Sequence, residues 1–365
     1  MRVDNPIDFW RGAALVMIFI NHVPGNVFAY FTLRNFAVAD AAELFVFLAG
    51  WSLFYATGGV ERPESARRVW FRLITRAIEL YRAQIVISVL ALSLFAAVSL
   101  WRNNPIYLEW NNAGPAFTDP QRALIGLVTL QYQLGYFDIL PLYVVLLVMA
   151  PVFILLGRIS IPATLALSLA VYGLALWYRI IPPAWPAYER WYFNPFAWQL
   201  LIVLGFVAAR LSATSASFRH WCGLLVPYAV LILIVGLVLT RYQYFPDPLA
   251  VPEPRMFFLF DKAYLSPARL VSVLALIIAF HGVFSRLAPL VPAVTEYLCS
   301  LGRNSLAVFC VGSLLSQVGQ IIRFWNEGSF LVDLGIVCSG LGLMGLTAWF
   351  VEWRERLPPG LARSR

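Results

Sequence analysis

Charged side chains are scarce in this sequence of 365 residues: aspartate, glutamate, lysine and arginine together make up 13% of it. A soluble domain carries about 25% charged residues. Hydrophobic residues make up 61% of the chain, and the mean hydropathy is +0.74. Apolar runs of about 18 residues recur, and each is long enough to cross the hydrocarbon core of a bilayer. The composition therefore excludes a soluble protein and predicts an all-α integral membrane protein.

Lysine and cysteine are also rare. Lys262 is the only lysine among 27 basic residues, and most of the arginines stand in short loops between apolar runs. That distribution sets the orientation of membrane helices, so the net charge of +8 does not indicate a nucleic-acid partner. The four cysteines form no CxxC pair, which indicates neither a disulfide framework nor a zinc site. We expect no metal and no tightly bound cofactor.

The apolar runs predict a bundle of about ten transmembrane helices in a single domain that covers residues 1–365. No clear internal repeat is visible, although many transporters are built from such repeats. We also expect a short interfacial helix within 122–135. The predicted transmembrane helices cover residues 12–30, 39–57, 77–100, 136–156, 161–179, 196–210, 222–240, 266–283, 303–322 and 329–350.

Arginines mark one side of the predicted bundle. Five lie in the loop 58–76, and more lie near the C-terminus. The C-terminal arginines are Arg354, Arg356, Arg363 and Arg365. An even number of helices puts both segments on the side of the N-terminus, and the positive-inside rule makes that side cytoplasmic. The opposite loops are rich in Trp, Tyr, Pro and Asn, which suits contact with a carbohydrate but also an ordinary aromatic belt at the membrane interface.

Two basic side chains share the first predicted helix. Arg11 and His22 are eleven residues apart, close to three turns, which places them on one face and about 16 Å apart along the axis. At that distance they do not pair with one another, but they can address two ends of one long ligand. Pro24 and Gly25 follow His22 and predict a break or bend there. Such a break frees backbone groups beside the imidazole and fits a site inside a cavity.

Two carboxylates stand near the outward start of the second predicted helix. Asp40 and Glu43 are one turn apart, at the predicted depth of His22. A carboxylate that orients one imidazole nitrogen leaves the other free to act as a general base, which predicts a catalytic group of these three residues. They also fit a buried pair that only locks two helices together. Both interpretations stay open, because an ionisable residue inside a membrane is costly unless it is paired or faces a cavity.

Anion-binding groups are predicted on the cytoplasmic side. Arg303, Asn304 and Ser305 begin the ninth predicted helix, and a guanidinium beside a helix N-terminus can bind phosphate. Arg72 and Arg76 in the arginine-rich loop can add to such a site, although membrane topology alone explains them.

Polar residues begin two predicted helices on the outward side. Asp138 stands at the start of the fourth helix, and Asn194, Trp198 and Gln199 stand at the start of the sixth. Aromatic faces beside such polar side chains form a surface suited to a sugar, whereas interfacial anchoring is the simpler explanation. Together the two sides suit an enzyme that takes a phosphorylated cytoplasmic donor and modifies an acceptor on the far side of the membrane.

Six stretches, spread in order over most of the chain, resemble a known family. They are 8–12 (DFWRG), 20–22 (INH), 40–50 (DAAELFVFLAG), 140–143 (LPLY), 193–199 (FNPFAWQ) and 302–306 (GRNSL). The spacing of Arg11 and His22 is typical of membrane acyltransferases. The closer resemblance is to the OpgC family, which succinylates osmoregulated periplasmic glucans.

The resemblance implies an O-acyltransferase in the bacterial inner membrane. The donor would be succinyl-CoA or another acyl-CoA, a co-substrate, and the acceptor would be a hydroxyl of a periplasmic glucan. His22 would be the base, with Asp40 and Glu43 as the acidic pair of the second helix. Arg11 and Arg303 would hold the donor. The implied partners are acyl-CoA, the glucan and the lipid bilayer, and a homo-oligomer is compatible with the sequence.

Two other functions stay open. A proton-coupled membrane transporter would use His22, Asp40 and Glu43 as a proton relay. That function leaves the arginine-rich cytoplasmic mouth and the long Arg–His spacing unexplained. A structural subunit of a glucan export complex would need neither His22 nor Glu43 for its role. Release of free CoA distinguishes the acyltransferase from both.

Overall fold

The computed structural model describes residues 4–186 and 190–356, and the regular elements of this part of the chain are helices. The α-helices are α1 (Pro6–Asn21), α2 (Ala41–Ala56), α3 (Ala66–Arg102), α4 (Gly114–Thr118), α5 (Pro120–Val128), α6 (Ile139–Ile159), α7 (Ile161–Trp177), α8 (Pro195–Thr214), α9 (Ala216–Leu224), α10 (Val226–Arg241), α11 (Pro267–Phe280), α12 (Val283–Leu290), α13 (Pro292–Arg303), α14 (Ser305–Trp325) and α15 (Phe330–Arg356). Short 3₁₀ helices cover Val27–Phe31, Leu33–Asn35, Pro105–Asn112 and Arg255–Phe257.

Several helices are long and apolar enough to cross a membrane. Five qualify singly, namely α3, α6, α8, α14 and α15, and the number rises to seven if the bent pairs α9–α10 and α11–α12 each form one span. Two shorter apolar helices, α2 and α7, add to the apolar bundle. The prediction of an all-helical, multi-pass membrane protein is confirmed at this level.

The helices form two units. The terminal unit contains Met1–Asn35 and Phe280–Arg365, and the central unit contains Phe36–Ala279. Helices α1 and α12–α15 therefore belong to the terminal unit, whereas α2–α10 and nearly all of α11 belong to the central unit. Because the two ends of the chain fold together, residues about 300 positions apart become neighbours in the terminal unit.

The first helix covers Pro6–Asn21, so the predicted range of 12–30 is wrong at both ends. Asn5 caps its start, where the side-chain oxygen accepts hydrogen bonds from two backbone N–H groups of the first turn at 3.0 and 3.1 Å. The helix stops at Asn21, just before Pro24 and Gly25, and Gly25 has a φ of +77°. The predicted break is thus confirmed. Helix α1 ends here because Pro24 has no N–H to continue the helical hydrogen bonds and because the left-handed φ at the next position favours Gly25.

Two further differences concern the arginine-rich segments. The structure starts α3 at Ala66, with Ser65 as its cap, so that much of the predicted loop 58–76 is helical. It also contains α13, which the sequence did not predict, and Arg303 is the last residue of that helix rather than the first of the next. The tail arginines Arg363 and Arg365 lie outside the described residues.

Glycines set the closest helix crossings of each unit. In the terminal unit, Gly12 on α1 and Gly302 on α13 each face a backbone carbonyl of the other helix. In the central unit, Gly50 on α2 and Gly205 on α8 face one another's helices in the same reciprocal way. A methyl group at any of the four would overlap the neighbouring backbone. Small residues let membrane helices approach closely enough to gain packing energy, so these glycines fix both helix pairs.

We expect Gly12→Ala to destabilise the protein by about 1–3 kcal/mol, because α1 and α13 must move apart to admit the methyl group. Thermal unfolding in detergent measures the effect as a lower Tm. Gly342→Ala within α15 is the matched control, since a methyl group there meets no atom within 4 Å. An equal loss of Tm in both variants would contradict the close crossing.

Candidate functional site

His22 lies directly after the last residue of α1. Its N–H donates to the carbonyl oxygens of Ile18 and Phe19 at 3.0 and 3.2 Å, so the residue caps the helix, and it is half-buried. The other two histidines of the chain, His220 and His281, are exposed. His22 is therefore the one histidine that the fold partly withdraws from the surface.

Side chains of α14 and α15 contact the segment that follows His22. Gln320 Nε2 donates to the carbonyl oxygen of His22 at 2.6 Å, and Arg323 Nη2 donates to that of Gly25 at 2.6 Å. Arg323 Nε also donates to Asp333 Oδ1 at 2.8 Å, and only 3% of the Asp333 side chain is exposed. The chain that leaves α1 is thus held by a half-buried ion pair and by the amide of Gln320.

The predicted donor-binding residues belong to both units. Those of the terminal unit are Arg11, Arg303, Asn304 and Ser305, and those of the central unit are Arg72 and Arg76. Arg11 is half-buried on α1, the helix that ends at His22. Ser305 is buried at the start of α14. The binding of a donor by these residues stays a prediction.

Arg303 is surrounded by carboxylates. Its Nη1 donates to Asp4 Oδ1 at 2.7 Å and its Nε to Glu352 Oε1 at 3.0 Å, with 12% of the side chain exposed. Asn304 Nδ2 donates to the same Glu352 oxygen at 3.1 Å. A guanidinium at the C-terminal end of a helix is also favoured by the helix dipole. These contacts satisfy Arg303 within the fold, so a phosphate would have to displace one of them.

A cleft of about 350 Å³ opens beside Arg303. It is lined by Asp4, Glu296, Arg303, Asn304, Glu352, Glu355 and Arg356. Four of these residues are acidic and two are basic, so the lining has an excess of negative charge at neutral pH. A cleft of that charge disfavours a phosphorylated donor.

Arg72 and Arg76 differ from Arg303 in exposure. Arg72 Nε donates to Glu64 Oε2 at 3.0 Å, and Arg76 Nη1 donates to Glu79 Oε2 at 2.7 Å. The side chains of the two arginines are 51% and 45% exposed. Exposed ion pairs contribute about 1 kcal/mol or less, so a phosphate can replace these carboxylates at low cost.

Asp40 and Glu43 cap α2 and bind two cations. Asp40 Oδ1 accepts from the Ala42 N–H at 2.9 Å, and Glu43 Oε2 accepts from the Asp40 N–H at 3.1 Å, which forms a reciprocal capping box. Lys262 Nζ lies 2.5 Å from Asp40 Oδ2, and Arg269 Nη2 lies 2.5 Å from Glu43 Oε1. The Glu43 side chain is fully buried, so its charge depends on the guanidinium.

All four oxygens of the two carboxylates therefore accept a hydrogen bond within the central unit. The orientation of His22 by Asp40 or Glu43 stays a prediction. Sequence reasoning did not identify Lys262 and Arg269 as the partners of these acids. The sequence did contain a signal for such partners, because two carboxylates inside an apolar bundle need two cations. Lys262, the only lysine of the chain, was a candidate for one of them.

The ammonium of Lys262 is held among charges and rings. Burial lowers the pKa of Lys262, but the charges of Asp40 and Glu43 outweigh burial and raise it, so the ammonium stays charged. Its Nζ lies 5.9 Å from the ring centre of Tyr192 and 5.6 Å from that of Phe193, within the range of cation–π attraction. Tyr192 is half-exposed and so gives this cluster an accessible aromatic face.

Three of the predicted acceptor-binding residues are buried within the fold. Asn194 and Trp198 have no exposed surface and Gln199 has 2%. Asn194 Nδ2 donates to the Ile180 carbonyl at 2.7 Å, and Trp198 Nε1 donates to the Lys262 carbonyl at 3.1 Å. Gln199 exchanges hydrogen bonds with a serine of α7. Asn194 and Trp198 thus hold loops on α8, and Gln199 binds α8 to α7. A glycan cannot reach these side chains unless the unit opens.

Asp138 stands apart from those three residues. It precedes α6, is half-buried, and lies within the electrostatic influence of Lys262. Of the four predicted acceptor-binding residues, it is the one whose side chain has access to the surface.

We expect Arg269→Met to cost about 3–5 kcal/mol of unfolding free energy, because it leaves the carboxylate of Glu43 buried without a cation. Adding Glu43→Gln should restore part of the loss, since the uncompensated charge is then removed. A double-mutant cycle on thermal unfolding in detergent measures this coupling. Arg72→Met, which breaks an exposed pair, is the control, with a change of about 1 kcal/mol or less. Strictly additive effects of the Arg269 and Glu43 substitutions would contradict the pairing.

Comparison with protein families matches residues 3–356 to the family described as OpgC protein. A search of curated proteins found no match. The family match reaches from the N-terminus to the last residue of α15 and includes both units. The resemblance predicted from the six short stretches is thereby confirmed. The family indicates a membrane acyltransferase that takes part in glucan modification. Since the match covers nearly the entire chain, this protein belongs to the OpgC family.

Proposed function

We propose that the protein transfers a succinyl or similar acyl group from acyl-CoA on the cytoplasmic side of the bacterial inner membrane to a hydroxyl of a periplasmic glucan. The observation that carries this proposal is the place of His22. In a chain of this family, it is the one half-buried histidine, and it stands where α1 ends. A base withdrawn from bulk water yet next to irregular backbone suits proton transfer within a cavity.

The proposed topology has ten crossings and cytoplasmic termini. Five long helices and two bent pairs supply seven spans, and α2, α7 and α1 supply three more. Helix α1 has 16 residues, which gives a length of about 24 Å. That length is shorter than the hydrocarbon core of about 30 Å, so the bilayer would thin locally around it. The arginines near the start of α3 and at the end of α15 support a cytoplasmic location for both.

The proposed chemistry is general-base acyl transfer. His22 takes the proton of the acceptor hydroxyl while the hydroxyl oxygen attacks the thioester carbonyl. The new C–O bond forms, the C–S bond breaks, and the leaving thiolate of CoA receives the proton from the imidazolium. The products are the glucan ester and free CoA, and the imidazole returns to its neutral form. The role of Asp40 and Glu43 as the acidic pair of this reaction stays a prediction from the family resemblance.

The donor's phosphates are proposed to bind first at exposed arginines near the cytoplasmic surface. Arg72 and Arg76 can exchange their surface carboxylates for phosphate, and Arg11 lies on the helix that leads to His22. Arg303 can join them only by releasing Asp4 or Glu352. The donor contacts of Arg72 and Arg76 are therefore favoured over that of Arg303.

We expect His22→Ala to lower the rate of glucan-dependent CoA release from succinyl-CoA by about 10²–10⁴-fold, the usual contribution of a general base. Free-thiol detection with the purified protein in detergent measures it, and Tm shows that the variant is folded. His220→Ala is the matched control, because that histidine is exposed. Wild-type turnover by His22→Ala would overturn the proposal. Release from acetyl-CoA alone would change the donor but keep the reaction. Flux of an unmodified solute without CoA release would favour the transporter.

We expect Arg76→Ala to raise the KM for acyl-CoA by about tenfold at an unchanged Tm, because it removes one charge-assisted contact to phosphate. Arg303→Ala should instead lower Tm, since it leaves Asp4 and Glu352 without their shared cation. Steady-state kinetics and thermal unfolding measure the two effects. Arg122→Ala, an exposed arginine paired with Asp119, is the control and should change neither. An unchanged KM in Arg76→Ala would contradict the proposed donor contact.

A further inference from the structure

We propose that Gln320, Arg323 and Asp333 are positioning residues that fix the main chain around His22 and thereby hold its imidazole in the reactive place. The inference rests on the proposed role of His22 as the base. It adds three residues from the other end of the sequence, which contact the main chain around the base.

The segment that needs fixing is the exit from α1. His22 is its first residue and Val27 begins the next 3₁₀ helix, so the intervening chain lies outside any helix. Pro24 and Gly25 are exposed, and Gly25 adopts a left-handed φ of +77°. The N–H groups of His22, Val23 and Asn26 make backbone hydrogen bonds, and Pro24 has no N–H. The carbonyl groups of His22 and Gly25 are bound instead by side chains of α14, so the position of the segment depends in part on those side chains.

Three side chains bind that segment at its beginning, middle and end. The carbonyl oxygen of His22 accepts from Gln320 at 2.6 Å, and that of Gly25 accepts from Arg323 at 2.6 Å. The N–H of Val27 donates to Asp333 Oδ2 at 2.9 Å.

Two of these side chains, those of Arg323 and Asp333, are themselves held by other contacts. Asp333 lies in the first turn of α15, where the helix dipole favours a carboxylate, and its second oxygen accepts from Arg323 Nε at 2.8 Å. The guanidinium of Arg323 lies between two turns, since a Cβ atom at Gly25 would stand 2.7 Å from it and one at Gly328 2.5 Å. Gly328 also has a positive φ, +66°. One half-buried ion pair therefore joins the exit of α1 to the turn between α14 and α15.

The contact at His22 is the most direct one, because it is made to the backbone of the proposed base itself. A general base must lie within hydrogen-bond reach of the proton it removes, and a displacement of about 1 Å can reduce a rate a hundredfold. Loss of the Gln320 contact would release the carbonyl of His22. Loss of the Arg323 guanidinium would release the carbonyl of Gly25 in the same way.

Arg323→Lys and Gln320→Met test the inference. Lysine keeps the charge but lacks the planar guanidinium whose Nε and Nη2 separately reach Asp333 and the Gly25 carbonyl. Methionine keeps the approximate shape of glutamine without its donor. We expect kcat for glucan-dependent CoA release to fall about tenfold to a hundredfold in each, with the KM for acyl-CoA within about twofold of wild type. Arg34→Lys is the control, an exposed arginine in the same unit, and should leave kcat unchanged.

A second measurement separates positioning from loss of fold. His220→Asn with His281→Asn leaves His22 as the only imidazole of the chain, so its NMR signals and titration can be followed in isotope-labelled protein. We expect Gln320→Met and Arg323→Lys to shift the His22 signals and its titration midpoint at a Tm close to that of the parent, whereas Arg34→Lys should not.

Two results would overturn the inference. One is an unchanged kcat in both variants while His22→Ala is inactive, which would leave the proposed function intact. The other is a fall in kcat that follows Tm while the His22 signals stay in place, which would make the contacts merely structural. Full activity of His22→Ala would instead refute the proposed function, and this inference with it.

Discussion

Burying a charge in an apolar helical bundle costs several kcal/mol unless an opposite charge and hydrogen bonds accompany it, and this constraint organises both units. In the central unit it joins Glu43 to Arg269 and Asp40 to Lys262, which ties the start of α2 to the loop before α11 and to α11 itself. In the terminal unit it joins Arg323 to Asp333, which ties α14 to α15. These paired charges thus serve as links between helices.

Close helix crossings complement these links. Hydrophobic burial does not drive association between helices in a lipid environment, so contact depends on how closely the backbones approach. The reciprocal glycines on α1 and α13, and those on α2 and α8, permit that approach. Gly12, Gly50 and Gly302 all fall in stretches that resemble the family, so part of that resemblance reflects packing rather than chemistry. The crossing of α1 with α13 also places the helix that carries Arg11 and ends at His22.

The sequence was sufficient to predict the features that depend on local pattern. The membrane class follows from apolar length and the scarcity of charge, and the end of α1 follows from Pro24 and Gly25. Tertiary contacts decided the rest. Asn194, Trp198 and Gln199 look like a polar aromatic surface in the sequence, but a helix start buried under a loop uses the same residue types for its own hydrogen bonds.

Ion-pair partners that are distant in the sequence could not be predicted either, because tertiary contacts bring them together. Arg323 directly follows the predicted helix 303–322 and Asp333 lies within the predicted helix 329–350, yet they bind backbone groups about 300 residues earlier. Lys262 and Arg269 lie more than 200 residues from the acids they neutralise. Charge balance predicts that such partners exist, whereas only the fold identifies them.

The proposed function requires that His22, alone among the histidines, supports transfer of an acyl group to a glucan. The double variant His220→Asn with His281→Asn retains only this histidine, and it can be incubated with isotope-labelled succinyl-CoA and a glucan before mass spectrometry of the glucan. We expect labelled ester on the glucan at a rate near that of wild type, and none when His22→Ala is added. Labelled ester of equal yield without any histidine would contradict it.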